Sequence, residues 1–338
     1  MIRLLLSFFL SLLLVGCGGG GSSDKGENDS SSSSSYSSGS SSNTSSSSSI
    51  DGLYTREDGA IELDIDLEGS LQNPSFSPDG KKVVFTRFRN GYNRGKADIF
   101  IYDIYQKELK TLVENDSINV NLPGKIWNAS SDMFVFSSSQ DGHDEIFAFY
   151  FDTMQEKRLT SREDLQAYEP TISGDEQFVI FESHELYKSN GILTKFDLTT
   201  KEYTQLTNPF DDSRQPNISH NDKYFLFQKK ETSTWQIWVC DIDSLDTFQI
   251  TDESYDATDA VFGAEDKTII FSGNVSNERH ANIYAIDIET KRISRLTNHT
   301  GYDGAVSVDT RNRYIVFEST PSDPDKSEGS RIFIKKMQ

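Results

Sequence analysis

Apolar residues in this chain come in short runs separated by turn residues, with no helical stripe. Six runs, "VVF", "FVF", "VIF", "FLF", "IIF" and "IVF", end at Phe85, Phe136, Phe181, Phe227, Phe271 and Phe317. By subtraction their spacings are 51, 45, 46, 44 and 46 residues. Nine residues before each phenylalanine stands another large apolar residue: Phe76, Trp127, Ile172, Ile218, Phe262 and Val308. A polar interval lies between, from "SPDGKK" in the first copy to "DTRNRY" in the last. Runs of this length bounded by Asp, Asn, Gly and Ser read as strands joined by tight turns. In "SPDG", Pro78 presets φ, and Gly80 tolerates positive φ as the chain re-enters the sheet. Runs that are apolar throughout, without alternation, imply strands covered on both faces.

Two further positions recur. A third strand ends in aspartate at Asp103, Asp152, Asp197, Asp241 and Asp287, where the carboxylate is placed to accept from the next turn's amides. A short fourth strand carries Leu112, Leu159, Leu206, Ile250 and Leu296. The sixth copy lacks this fourth strand, and "AIELDI" near Leu63 supplies a spare one 49 residues before Leu112. Four strands per repeat and a period of this size predict an all-β fold, a six-bladed propeller of four-stranded blades. The displaced strand predicts circular closure, with the segment around Ile61 beside the C-terminal strands. A linear array would instead leave two end faces in need of polar caps.

The first residues break the pattern. Arg3 precedes "LLLSFFLSLLLVGC", Leu4 to Cys17, which reads as a secretory signal and is short of the roughly 20 residues of a membrane span. "LVGC" resembles the bacterial lipobox. That resemblance implies cleavage before Cys17, leaving residues 1–16 as signal peptide, and a covalent lipid on Cys17. Residues 18–49 are nearly all Ser and Gly with a few charges and cannot bury apolar surface. Residues 17–50 are therefore expected to be a lipidated, disordered tether about 30 Å long on average, and 51–338 the propeller. Gly18 in place of Asp implies the outer membrane under enterobacterial sorting rules. The other cysteine, Cys240 in "IWVCDI", reads as a buried packing residue. A net charge of −20 argues against nucleic acid as a partner.

The stretch "NPSFSPDGKKVVFTR…DIFIYDI…LKTL" is similar to the TolB-type propeller repeat, a relative of the WD repeat. The similarity covers residues 60–338 and is weakest in the second turn and the truncated sixth copy. The same repeat occurs in TolB, in propeller domains of prolyl-oligopeptidase-type peptidases and in oligogalacturonate lyases. TolB carries a small α/β domain before its propeller and binds a peptidoglycan-associated lipoprotein. A serine tether stands in that place here, and the resemblance departs from TolB there.

The sequence has no G-x-S-x-G, C-x-x-C, H-E-x-x-H or Gly-rich phosphate loop. His143, His184, His280 and His299 come from different repeats, and His220 lies on the opposite rim, so no metal site is expected. The loops between repeats surround the mouth of a central funnel. Counting back from the phenylalanines, they place there Tyr168, Glu169, Arg214, Gln215, Tyr255, Asp256, Asp259, Tyr302 and Asp303. Tyrosines supply rigid contact area and carboxylates supply charge complementarity. The expectation is a non-catalytic, cofactor-free binding module of the cell envelope. It would be lipid-anchored, probing the periplasm or cell surface, and would receive a protein segment, a basic group or a cation in an acidic, aromatic funnel. The alternative is a lyase or hydrolase acting on glycans at the same funnel.

Overall fold

Each repeat folds into its own antiparallel sheet, and six such sheets follow one another along the chain. The computed structural model describes residues 50–337, apart from Asp51, Tyr187, Glu253, Ser276, Asn277 and 321–328. The expected signal peptide, Cys17 and the serine tether lie outside the described residues, except for Ile50. The innermost strands are Ser70–Phe76, Asn119–Val120, Leu165–Ile172, Ser213–Ile218, Ala257–Phe262 and Asp303–Val308. In blades one to five the next three strands follow outward in sequence order.

The six anchor phenylalanines sit on the second strands and are all buried. Five of them pair across the sheet with an aromatic residue of the third strand: Phe100, Phe147, Trp238, Tyr284 and Phe333. Such pairs stabilise a sheet beyond the area they bury. The expected turn chemistry is present. Asp103 accepts from Tyr105 N and Gln106 N at 3.0 and 2.9 Å, and Asp197 from Thr199 N and Thr200 N at 2.8 and 2.7 Å. After the fourth strand, the hydroxyls of Thr160, Thr207, Thr251 and Thr297 each accept a third-strand amide at 2.9 Å.

The ring closes head to tail. Ile61–Glu62 pairs with the third strand of blade six, with Ile61 opposite Ile334 and Glu62 opposite Phe333. The last blade has five strands rather than the expected four, because Tyr54–Thr55 folds back outside Ile61–Glu62. The hairpin between them places Arg56 across the blade. Its guanidinium lies 5.4 and 5.2 Å from the ring centres of Phe317 and Phe333, and it reaches Asp303 Oδ1 and Oδ2 on the innermost strand at 2.8 and 3.0 Å.

Blade two is irregular at its centre. Its innermost strand stops at Val120 and resumes only as a single bridge between Trp127 and Phe134. The intervening "NLPGKI" leaves the sheet and crosses the axis. Gly124 O accepts from Ser75 Oγ of blade one at 3.1 Å, and Lys125 O accepts from Ile172 N of blade three at 3.0 Å. A Cβ on Gly124, whose φ is +95°, would lie 2.1 Å from Asn217 Nδ2 of blade four. This segment plugs the channel. The axial cavity beside it, lined by Asn73, Leu122, Pro123, Gln215, Asn217 and Asp259, measures about 20 Å³. That is room for about one water.

Candidate functional site

Above the plug, one backbone feature recurs in every blade. The residue twelve before each anchor phenylalanine has a left-handed backbone: Asn73, Gly124, Glu169, Gln215, Asp259 and Ala305, with φ from +48° to +95°. Five of the six carry a Cβ, and that conformation costs such residues roughly 1–2 kcal/mol each. In five blades the strand register slips here, as in a β-bulge. The bulge turns these amides toward the preceding blade. Gln215 N meets Glu182 Oε2 at 3.4 Å, Asp259 N meets Gln228 Oε1 at 3.3 Å, and Asn73 N meets Glu318 Oε2 at 2.9 Å. The ring also links itself, since Asp259 Oδ2 accepts from Ala305 N at 3.3 Å and Gln215 Oε1 from Asp259 N at 3.2 Å.

The acceptors share a position of their own. The residue after each anchor phenylalanine is Thr86, Ser137, Glu182, Gln228, Ser272 or Glu318, a buried polar residue in an otherwise apolar strand. Two of them are carboxylic acids. Burial raises Glu318 to about 7, although Tyr92 Oη (2.6 Å) and Asn73 N donate to it. Burial, with the charge and hydrogen bond of Glu182, holds Glu169 well above the usual carboxylate range. Burial also raises Glu182, against the pull of Arg214. The Glu169 and Glu182 carboxyl groups each disfavour the charge of the other. His184 Nε2 meets Glu182 Oε1, and Tyr302 Oη donates to Asp259 Oδ2 at 2.9 Å. The mouth therefore carries three acids, Glu169, Glu182 and Glu318, in surroundings that disfavour their charge.

Of the residues expected at the funnel, Glu169, Gln215, Asp259 and Tyr302 join this network. Arg214 stands beside it, 3.9 Å from Glu182, while pairing with Asp212 at 2.8 Å and covering Trp235 at 5.3 Å. Tyr168 meets His184 edge-on at 5.5 Å and donates to Asp144 at 3.0 Å. The other three have different surroundings. Tyr255 is buried in the apolar core of blades four and five, stacked on Phe271 at 6.2 Å. Asp256 accepts Trp235 N at 2.8 Å, and Asp303 is fully buried against Arg56. They lie four, three and two residues upstream of the left-handed positions Asp259, Asp259 and Ala305. Sequence reasoning missed Tyr92, Glu182 and Glu318. The signal was a polar residue directly after "VIF" and "IVF".

The histidines stay apart. His220 bonds Asp266 on the turn side at 2.8 Å, and His299 Nε2 meets Thr320 O at 3.0 Å. Among the described residues no three His, Cys, Asp or Glu side chains converge as a metal-ligand group. No helix among them is long and apolar enough to cross a membrane.

A closed ring of six antiparallel sheets, crossed near its axis by residues 121–126, defines a six-bladed β-propeller. The TolB beta propeller domain family model matches residues 40–265, and the chain belongs to that family. The Tol-Pal system protein TolB of Francisella tularensis subsp. mediasiatica (strain FSC147) is 28% identical over 171 residues, 50% of this chain and 38% of that protein. The chain thus matches well under half the length of this relative. Among solved structures, TolB from Acinetobacter baumannii superposes with a TM-score of 0.59 at 16% identity, covering 81% of this chain and 65% of that one. An oligogalacturonate lyase in complex with manganese gives 0.55 at 15% identity, covering 76% and 73%. At these identities both likenesses concern the fold.

Proposed function

We propose that this protein is a membrane-tethered, non-catalytic binding lipoprotein of the bacterial cell envelope, anchored through Cys17, whose funnel mouth receives a segment of another envelope protein. The observation that carries the reading is the strained ring of Asn73, Glu169, Gln215, Asp259 and Ala305, with buried acids and tyrosines behind it. Left-handed backbone and carboxyls held against their charge are costs to folding, and such costs concentrate at functional sites. Membership of the TolB propeller family and similarity to Tol-Pal system proteins support an envelope protein as partner. A cationic group on that partner suits the three acids Glu169, Glu182 and Glu318, because it would restore the charge that burial opposes.

The test is site-specific photo-crosslinking in cells. A photoreactive phenylalanine analogue in place of Tyr302 is expected to capture a defined envelope protein, while the same analogue at exposed Tyr105 on the opposite rim does not. Equal capture at both positions would overturn the funnel as the binding site.

A further inference from the structure

Blade one sends a hairpin toward the axis. Residues 89–96, "RNGYNRGK", join its second and third strands. Tyr92 Oη donates to Glu318 of blade six at 2.6 Å, and the Tyr92 ring meets Tyr302 edge-on at 6.5 Å. Asn93 N donates to Gln72 Oε1 at 3.0 Å, and Gln72 Nε2 donates back to Asn93 Oδ1 at 2.9 Å. Glu318 and Tyr302 in turn hold Asn73 and Asp259 of the left-handed ring. Tyr92 therefore lies over the residues that form the candidate site.

The hairpin is fixed at its base by ion pairs, and its tip is held by the side-chain bonds of Tyr92 and Asn93. Arg89 is bound to the buried Asp98 through Nε at 2.9 Å and Nη2 at 2.6 Å. Its backbone bonds, Arg89 N to Lys96 O, Asn90 N to Arg94 O and Arg94 N to Gly91 O, stay within the hairpin. Gly91 and Gly95, at φ of +107° and +81°, flank the tip and allow it backbone freedom that other residues lack. Beneath lies the axial cavity of about 20 Å³, far too small for a protein side chain.

We propose that residues 89–96 are a lid on the funnel. Tyr92 and Gln72 latch it down, and a ligand reaches the ring only after the tip swings away about Gly91 and Gly95. The regulation named here rests on the funnel being the binding site. The lid's own motion is read without any ligand, so either idea can fail alone.

Arg94 at the tip is exposed and is a trypsin site, which gives the test its readout. In full-length protein under native conditions, Tyr92→Phe is expected to speed cleavage after Arg94 by about 5–10-fold, the worth of one lost hydrogen bond, with the thermal midpoint lowered by no more than about 2–4 °C. Equal rates in the two proteins would overturn the latch. Should the variant melt early, hydrogen exchange of the unmutated protein decides. Amides of residues 90–95 are expected to exchange through a local opening insensitive to low urea. Exchange only through global unfolding, with the slope of the flanking strands, would overturn the lid.

Discussion

The two ends of the propeller axis use the same backbone device for opposite purposes. On the turn side, the residue five before each anchor phenylalanine is left-handed in all six blades: Gly80, Ser131, Glu176, Asp222, Asp266 and Asn312. There the side chains clasp the blade before. Asp222 accepts Gly174 N at 2.9 Å, Asp266 accepts His220 N and Asn221 N at 2.8 and 3.1 Å, and Asn312 accepts Ala264 N at 2.8 Å. Thr310 Oγ1 completes the circle by donating to Pro78 O at 3.0 Å. Burial alone would raise Asp266, but these bonds and His220 hold it below the ordinary carboxylate range. At the mouth the left-handed residues instead gather acids that burial keeps above that range. One end lowers the free energy of closure. The other holds carboxyls whose charge burial disfavours.

The comparison breaks first if the ring is not held by its closure and core. Arg56→Ala would leave Asp303 buried without its cation and is expected to cost about 3–5 kcal/mol in a urea melt. Phe271→Ala, in the wall between the two ends, is expected to cost a similar 3–5 kcal/mol through its cavity. Next comes Asp266→Ala on the turn side, at about 1–3 kcal/mol for the amides left unpaired. Its sign with pH is set by a depressed carboxyl. The contribution is present above the ordinary value of 3.8 and is lost as pH falls through the lower folded value. This variant should therefore flatten the acid limb of a stability profile.

Glu318→Gln should act on the other limb. Glu318 sits near 7 when folded against an ordinary 4.5, so the fold favours its neutral form. That stability is full below about 4.5 and is lost as pH rises to about 7. The shift corresponds to at most on the order of 3 kcal/mol. With one acceptor oxygen kept, the variant is expected to gain about 1–2 kcal/mol over the wild type at pH 8 and nothing at pH 4. A variant less stable than wild type at both pH values would remove the contrast between the ends. The smallest effect is at Gly91→Ala, about 1 kcal/mol for its positive φ, well below Phe271→Ala. Equal losses at the two positions would contradict the assignment of core and loop.

Much of this was legible in residue order. The six anchor phenylalanines, the turn aspartates and the strand around Ile61 follow from local spacing, because a strand buried on both faces must be apolar throughout. Part of the site was legible too, since Glu169, Gln215 and Asp259 sit twelve residues before their anchors. Tyr255, Asp256, Tyr302 and Asp303 all fall two to four residues before the left-handed positions, yet only Tyr302 of these four joins the network. Tyr92 and Glu318 lie 226 residues apart and meet only because the ring closes.

The sequence by itself determined the number of blades, the register of their apolar strands and the head-to-tail closure, since each rests on short-range pattern repeated along the chain. The tertiary structure alone decided that "NLPGKI" plugs the axis, that Arg56 reaches through blade six to Asp303, and that Glu169 and Glu182 share a site. Those outcomes depend on how six sheets twist around one axis and bring distant residues into a shared low-dielectric space, and no local pattern encodes that geometry.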